Sequence, residues 1–267
     1  MFQKLRERFV KELAGQLALP SKSLFGRLIS QRFKRRNSFL EKAAVELLQI
    51  EPHHNVLEIG FGPGVGLQHA AEFINYGSGK VYGVDYSKFM LDQATRLCVE
   101  EVSEEKVELH LAEVRNMPFP DSSFERVFHC NCYYFWTNMD ASCREIYRVM
   151  KPGAVMVTTL WLERIKEVQK SGALALGNPD PVRYMSALEL VGFNQVNMEY
   201  LSHRDKFTFQ AIFASKPELV QQLSPEEEER ELEEFEEEIK EYHRQAAVLR
   251  MQRDVNVDDS TKFARSK

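Results

Sequence analysis

The chain has 267 residues and 43% hydrophobic content, enough for a substantial core in one large domain or two small ones. It contains no run of eighteen apolar residues, and the opening Met1-Phe2-Gln3-Lys4-Leu5-Arg6 lacks the apolar core of a secretory signal. Its four cysteines, Cys98, Cys130, Cys132 and Cys143, are too few and too scattered for a disulfide framework, so a reducing, cytoplasmic setting is expected. The formal charge of -5 hides an asymmetry: Lys and Arg crowd positions 4 to 36, while Glu crowds positions 226 to 241. The acidic balance disfavours double-stranded nucleic acid as a partner.

From Met1 to Leu17, the residues Phe2, Leu5, Phe9, Leu13 and Leu17 recur at three- and four-residue steps, which predicts an amphipathic helix stopped by Pro20 and Ser21. A second basic helical stretch is expected at Gly26 to Phe33 and a third at Ser38 to Leu48, where Phe39, Ala43, Val45, Leu47 and Leu48 supply an apolar face. Residues 1–37 thus read as a basic helical extension, either a lid or a solvated face. Lys34-Arg35-Arg36 with Phe2, Phe9 and Phe25 also suits weak contact with an anionic membrane surface. A mitochondrial presequence stays open as well, with Glu7 and Glu12 counting against it.

After Pro52, short apolar strands alternate with longer helical segments. Strands are predicted at 55–59, 80–84, 106–111, 125–130, 153–160, 194–201 and 206–214, and helices near 65–75, 88–100, 138–149 and 180–191. The fold class is therefore α/β: a doubly wound, mostly parallel, seven-stranded Rossmann-like sheet over residues 38–216. Ser202-His203-Arg204-Asp205 is too short for a crossover helix, so the last two strands should form an antiparallel edge hairpin. Ser224-Pro225-Glu226-Glu227 then opens an acidic helical extension, residues 217–253, with Leu232, Phe235 and Ile239 on one stripe. Residues 254–267 read as a disordered tail.

The strongest chemical signal is Asn55-Val56-Leu57-Glu58-Ile59-Gly60-Phe61-Gly62-Pro63-Gly64-Val65-Gly66, an apolar strand carrying an acid and opening into a glycine-rich turn before a helix. Backbone without Cβ atoms lets a ligand approach closely, although a tight turn without a ligand reads the same way. The next strand, Val81-Tyr82-Gly83-Val84-Asp85, ends in a carboxylate some twenty residues on, where an acid can accept hydrogen bonds from both ribose hydroxyls. Asp85 could equally cap the helix beginning at Ser87-Lys88, and Ser87 is at least as good a cap. A dinucleotide fingerprint fails on spacing, because the sixth residue from Gly60 is Val65 and from Gly62 is Leu67. Glu58 is a poor neighbour for a pyrophosphate and a good one for the ammonium of a methionine moiety, which favours S-adenosylmethionine.

At these residues the chain resembles the class I methyltransferases, in particular the group with a methyltransferase type 11 domain. Glu58, Gly60, Gly62 and Gly64 match its first motif, and Gly83-Val84-Asp85-Tyr86-Ser87 with Met90-Leu91 matches the stretch around its ribose-binding acid. Ala112-Glu113-Val114 through Met117-Pro118-Phe119-Pro120-Asp121-Ser122-Ser123-Phe124 and Arg148-Val149-Met150-Lys151-Pro152-Gly153-Ala154 match two later landmarks. The resemblance covers about residues 38 to 160 and implies S-adenosyl-L-methionine as the cofactor. It implies Glu113 for the adenine amino group, where the family usually carries aspartate, or the Val114 backbone instead. A solvated loop carboxylate is the plain reading of Glu113, and core packing that of Met90. Tyr86 and Asn131 complete the expected donor site.

The turn after the fourth strand, His129-Cys130-Asn131-Cys132-Tyr133-Tyr134-Phe135-Trp136, is where such a fold places the incoming acceptor, and its aromatics suit a small, partly apolar pocket. If the acceptor needs a general base, His129 and Tyr133 are the candidates; the alternatives are a satisfied strand histidine and a pocket wall. No metal is expected, since Cys130 and Cys132 lack a third ligand. Leu13-Ala14-Gly15-Gln16-Leu17, Pro20-Ser21 and Gly26-Arg27-Leu28 resemble the preamble of some members of the group without fixing a substrate. The reading is methyl transfer to a small-molecule or lipid-like acceptor. Its rivals are an NAD-dependent oxidoreductase and a non-catalytic adapter that keeps the fold.

Overall fold

A computed structural model of the chain describes residues 2–172, 178–204 and 206–218, and beyond them 230, 235, 237, 239–242 and 244. Two compact units are present, Met1–Leu219 and Val220–Lys267.

The first unit opens with two helices, α1 (Phe2–Ala18) and α2 (Leu24–Leu47). The two basic stretches expected separately within 26–48 are one continuous helix, because neither Asn37 nor Ser38 is followed by a residue that breaks the backbone hydrogen-bond ladder. Ser23 caps α2 by accepting from the Gly26 amide at 3.0 Å. The connector is locked from within: Gln16 Oε1 accepts from the Ser21 amide at 2.9 Å, and a Cβ on Gly26 would meet Ser21 O at 2.1 Å. Gln16, Ser21 and Gly26, singled out as a sequence preamble, are therefore a turn closed by the Gln16 amide and by the lack of a Cβ at Gly26.

The sheet follows: β1 (Asn55–Ile59), α3 (Val65–Ile74), β2 (Lys80–Asp85), α4 (Lys88–Leu97), α5 (Val99–Ser103), β3 (Val107–Leu111), β4 (Phe124–Cys130), α6 (Met139–Val149), β5 (Met150–Leu160), α7 (Leu162–Lys170), α8 (Pro181–Val191), β6 (Asn194–His203) and β7 (Phe207–Ser215). Its order is β3-β2-β1-β4-β5-β7-β6, parallel throughout except for β7, which runs antiparallel to β5 and β6. The doubly wound sheet and its edge hairpin are as the sequence predicts. Pairing runs out to His203 and Phe207, two residues further along β6 than the expected strand end. The predicted helix 88–100 breaks at Cys98 into α4 and α5, and α7 was not foreseen. Its only sequence signal is Leu162, Ile165 and Val168 at three-residue steps, of which Ile165 is buried.

Side-chain alternation divides the core into two layers. Along β1, Leu57 and Ile59 join the layer under α6 and α8, with Ile146, Tyr184 and Leu188. Val56 joins the layer under α2, α3 and α4, with Val45, Leu67 and Ala94. Glu58 shares Val56's face and so enters that second layer, a carboxylate in an apolar one. Strand order reverses between β1 and β4, and the crevice at the carboxyl ends of those two strands is where open α/β sheets bind ligands.

In the second unit the described residues are helical, with Lys240 paired to Glu237 at 3.4 Å and Arg244 to Glu241 at 3.1 Å. Phe235 and Ile239 are exposed there. Leu232, the expected cap at 224–227 and the tail 254–267 lie outside the described residues, as do the side chains of Phe2 and Leu5.

Candidate active site

A cavity of about 1410 Å³ opens over the β1/β4 switch point. It exceeds the roughly 300–1,000 Å³ of an ordinary small-molecule pocket, leaving room for two ligands side by side. Its floor is Gly60 and Gly62 after β1, Asp85 and Tyr86 after β2, Ala112 to Arg115 after β3, and Cys130, Asn131 and Cys132 after β4. Its roof is α1 and the first half of α2, and α7 closes one side.

The glycine turn is built around Gly62, whose φ of +50° is left-handed and whose missing Cβ would point into open space within the cavity. Gly60 and Gly64 share the positive φ that a turn this tight imposes. Asp85 holds the turn from the neighbouring strand: Oδ2 accepts from the Gly62 amide at 3.0 Å and Oδ1 from the Ser87 amide at 2.8 Å. Ser87, not Asp85, caps α4, accepting from the Met90 amide at 3.3 Å. Burial pushes Asp85 up to about 6 despite its backbone donors. The roof is tied to the same place, since Ser87 Oγ donates to Pro20 O at 3.1 Å and Lys22 pairs with Asp92.

Glu58 is 1% exposed and lies against the start of α3, where a Cβ on Gly66 would meet its Oε1 at 2.5 Å. Burial holds its carboxyl well above the usual range, and the nearby carboxylates of Glu41 and Asp85 add to the effect. Glu41, from α2, lines the cavity, is 6% exposed, and is pushed by burial up to about 8. Oε2 of both glutamates is buried without a hydrogen-bond partner. Three carboxyl groups thus gather beneath the glycine turn, two with an unsatisfied oxygen. Sequence reasoning passed over Glu41 and Gly66. The signal for Glu41 was its place on the apolar stripe of α2 with Ala44, Val45 and Leu48.

The remaining expected donor-site residues sit around this cluster. Tyr86 is half-exposed on the cavity wall, its phenol pushed up to about 12 by burial. Glu113 is on the wall too, accepting from Arg115 at 2.6 Å, beside a buried Val114. Asn131 follows β4 with φ +49°, its Oδ1 buried and unpartnered. Met90 is both core and wall, 2% exposed in the α2–α4 layer yet lining the cavity.

The two expected bases are elsewhere, which corrects their placement. His129 is one residue short of the end of β4 and on the α8 face, fully buried, with Nε2 2.7 Å from Tyr184 Oη and 2.8 Å from Thr158 Oγ1. Burial drives its pKa down to about 3, so it is neutral. Tyr133 donates its hydroxyl to Pro179 O at 2.8 Å and stacks on Tyr184 at 4.5 Å. Neither lines the cavity. Alternation along β4 sends His129 away from the α2 layer, and the helical turn at 133–135 tucks Tyr133 inward while leaving Tyr134, Phe135 and Trp136 on the wall.

Residues 57–158 match the family described as a methyltransferase domain. The chain has the fold of the class I methyltransferases. It is 29% identical over 124 residues to an uncharacterised methyltransferase, YdaC, of Bacillus subtilis, covering 46% of this chain and 65% of that one. It is 29% identical over 107 residues to a sterol 24-C-methyltransferase of Aspergillus fumigatus, covering 40% of this chain and 28% of the relative. The chain thus spans less than two thirds of either relative. Among solved structures, geranyl diphosphate methyltransferase in complex with S-adenosylmethionine has the same fold, with a TM-score of 0.56 at 18% identity, covering 68% of this chain and 86% of that one. The matched segment contains the glycine turn and the acid that ends β2, while the helical roof lies before it.

Proposed function

We propose that this protein transfers the methyl group of S-adenosylmethionine to a small-molecule or lipid-like acceptor. The observation that carries the reading is the carboxyl cluster of Glu58, Glu41 and Asp85 under the Gly62 turn. Buried carboxyls with unpaired oxygens are costly unless a cation or donor meets them. S-adenosylmethionine brings two positive charges, its ammonium and its sulfonium. A dinucleotide would bring a pyrophosphate to the same acids, so the cluster argues against the oxidoreductase alternative as the glycine spacing does.

In this reading Glu41 on the cavity wall, backed by the buried Glu58, would hold the ammonium end, Asp85 the ribose hydroxyls beside Tyr86, and Glu113 or the Val114 backbone the adenine, with the Gly60–Gly64 turn giving close approach and Asn131 facing the reacting end. The donor supplies an electrophilic methyl for in-line displacement. The protein's part is to align the partners and keep water out, which in well-oriented systems contributes roughly 7 to 11 kcal/mol. Phe135 and Trp136 on the wall and the α1–α2 roof supply that exclusion. The S–CH3 bond breaks as the new bond forms and S-adenosylhomocysteine leaves, and an acceptor atom that carries a free electron pair and no proton, such as a thiolate or carboxylate oxygen, needs no base from the cavity wall. The sterol and geranyl diphosphate enzymes among its relatives support a lipid-like acceptor.

Calorimetric titration with S-adenosylmethionine, S-adenosylhomocysteine and NAD tests the reading. Saturable binding of both sulfur nucleosides, lost in Gly62→Arg and Asp85→Ala, supports it. Binding of NAD instead would favour the oxidoreductase, and binding of none by folded protein the adapter.

A further inference from the structure

Donor binding leaves the basic side of the cavity without a use. Arg32, Arg35 and Arg36 on α2 and Arg164 on α7 all line it. Positions 32, 35 and 36 fall on one helix face by their three- and four-residue spacing, where like charges repel. Arg36 is held below its ordinary value by burial and then by the charges of Arg32, Arg164 and Arg35, while Glu167 acts in the opposite sense. Glu167 pairs with Arg164, and among the described residues no carboxylate pairs with Arg32, Arg35 or Arg36. A second donor sits with them. Trp161, three residues before Arg164, lines the same cavity with its indole N–H buried and unpartnered. The same cavity is also lined by apolar side chains of the two roof helices, including Phe9, Leu13 and Ile29.

We infer that Arg32, Arg36 and Arg164, with the Trp161 indole N–H, form a subsite for the anionic head of an amphiphilic molecule whose apolar body lies along the roof helices. The head is a phosphate, sulfate or carboxylate, matched by guanidinium forks. Arg32, Arg35 and Arg36 are exposed as well as lining the cavity, but the Trp161 N–H is buried within it, where only a molecule that enters can reach it; the occupant is therefore a single amphiphile, with a bilayer surface as the alternative that the vesicle measurement tests. Its being the methyl acceptor rests on the function proposed above.

The protein's two tryptophans, Trp136 and Trp161, both line the cavity, so intrinsic fluorescence reports its occupancy. Dodecyl phosphate and dodecanol, each kept monomeric at about 0.15 M salt where exposed charges are screened, share an apolar body and differ in the head. Dodecyl phosphate should saturate the signal and bind at least about tenfold more tightly than dodecanol, a ratio one or two charge-assisted contacts supply. Arg36→Gln with Arg164→Gln should abolish that preference while leaving dodecanol and S-adenosylhomocysteine affinities unchanged. Equal binding of the two probes, or a preference that survives the double variant, overturns the subsite. So does binding to vesicles containing phosphatidic acid with no saturable binding of monomeric dodecyl phosphate. The wild-type comparison needs no variant, so it stands even if the double variant folds poorly. S-adenosylhomocysteine binding without anion preference would sink this inference alone; anion preference without S-adenosylhomocysteine binding would keep the subsite and sink the transferase reading.

Discussion

Asp85 Oδ2 accepts the Gly62 amide at 3.0 Å, so the acid that ends the second strand shapes the glycine turn that follows the first. One carboxylate therefore has two duties, holding the turn and presenting itself to the cavity. Asp85→Ala should leave the Gly62 and Ser87 amides without their acceptor, at about 1–3 kcal/mol for each that stays buried. At about 2–4 °C per kcal/mol in a chain of this size, the melting temperature should fall by several degrees, and S-adenosylmethionine affinity should fall with it. Asp85→Asn retains an acceptor oxygen and should recover part of the stability but less of the affinity. Scanning calorimetry and titration of the two variants side by side separate the duties; wild-type affinity in Asp85→Asn would mean the charge is not used.

The glutamates give a pH dependence with a definite sign. Glu41 has its pKa raised from 4.5 to about 8 in the ligand-free fold, so its contribution to stability is complete below about 4.5 and lost as pH rises through 8. Glu58 is shifted the same way. Ligand-free protein should thus lose thermal stability between pH 5 and 8, and Glu41→Gln should flatten that loss and melt higher than wild type at pH 8.5. A wild-type melting temperature that rises across this range would contradict the burial of these acids.

The same acids link protons to the donor. A cation bound beside them favours the ionised form, so S-adenosylmethionine should release protons on binding at pH 7 and bind more tightly as pH rises from 6 to 8. Titrations in buffers of differing ionisation enthalpy measure the number released, and Glu41→Gln should reduce it. Proton uptake on binding would place the cation elsewhere.

How far the sequence carried this picture depends on the kind of signal. The parallel strands and the β6–β7 hairpin were legible because buried strands read as apolar runs and a short polar link permits only antiparallel pairing. Asp85 and the glycine turn were legible as a motif. The continuity of α2 was not, since a lone polar stretch such as Asn37-Ser38 reads as a cap unless tertiary packing overrides it. Nor was the orientation of His129, because alternation along β4 assigns faces only once one face is known. Glu41 lies seventeen residues before Glu58 on a different element, and no local pattern ties the two; the fold alone makes them neighbours.

His129 and Tyr133 should prove structural. With a pKa near 3, His129 contributes no step to a rate profile around pH 6 to 7, and its Nε2 is already engaged by Tyr184 and Thr158. Tyr133→Phe removes only the bond to Pro179 O and should cost about 1 kcal/mol with donor affinity unchanged. Donor affinity reduced tenfold in well-folded Tyr133→Phe would return that residue to the site.

Gly66→Ala tests the buried acid from the other side. A methyl group there would meet Glu58 Oε1 at 2.5 Å, and neither partner can yield easily, one being the first turn of α3 and the other a carboxyl enclosed by β1, α2 and α3. Overpacking of this kind costs about 1–3 kcal/mol. If the displaced carboxyl is the one that meets the ammonium of the donor, S-adenosylmethionine should lose more affinity than an analogue without that amino group, such as 5′-methylthioadenosine. Equal losses for the two ligands would mean that Glu58 shapes the turn without touching the methionine end, leaving Glu41 as the acid that faces the cavity.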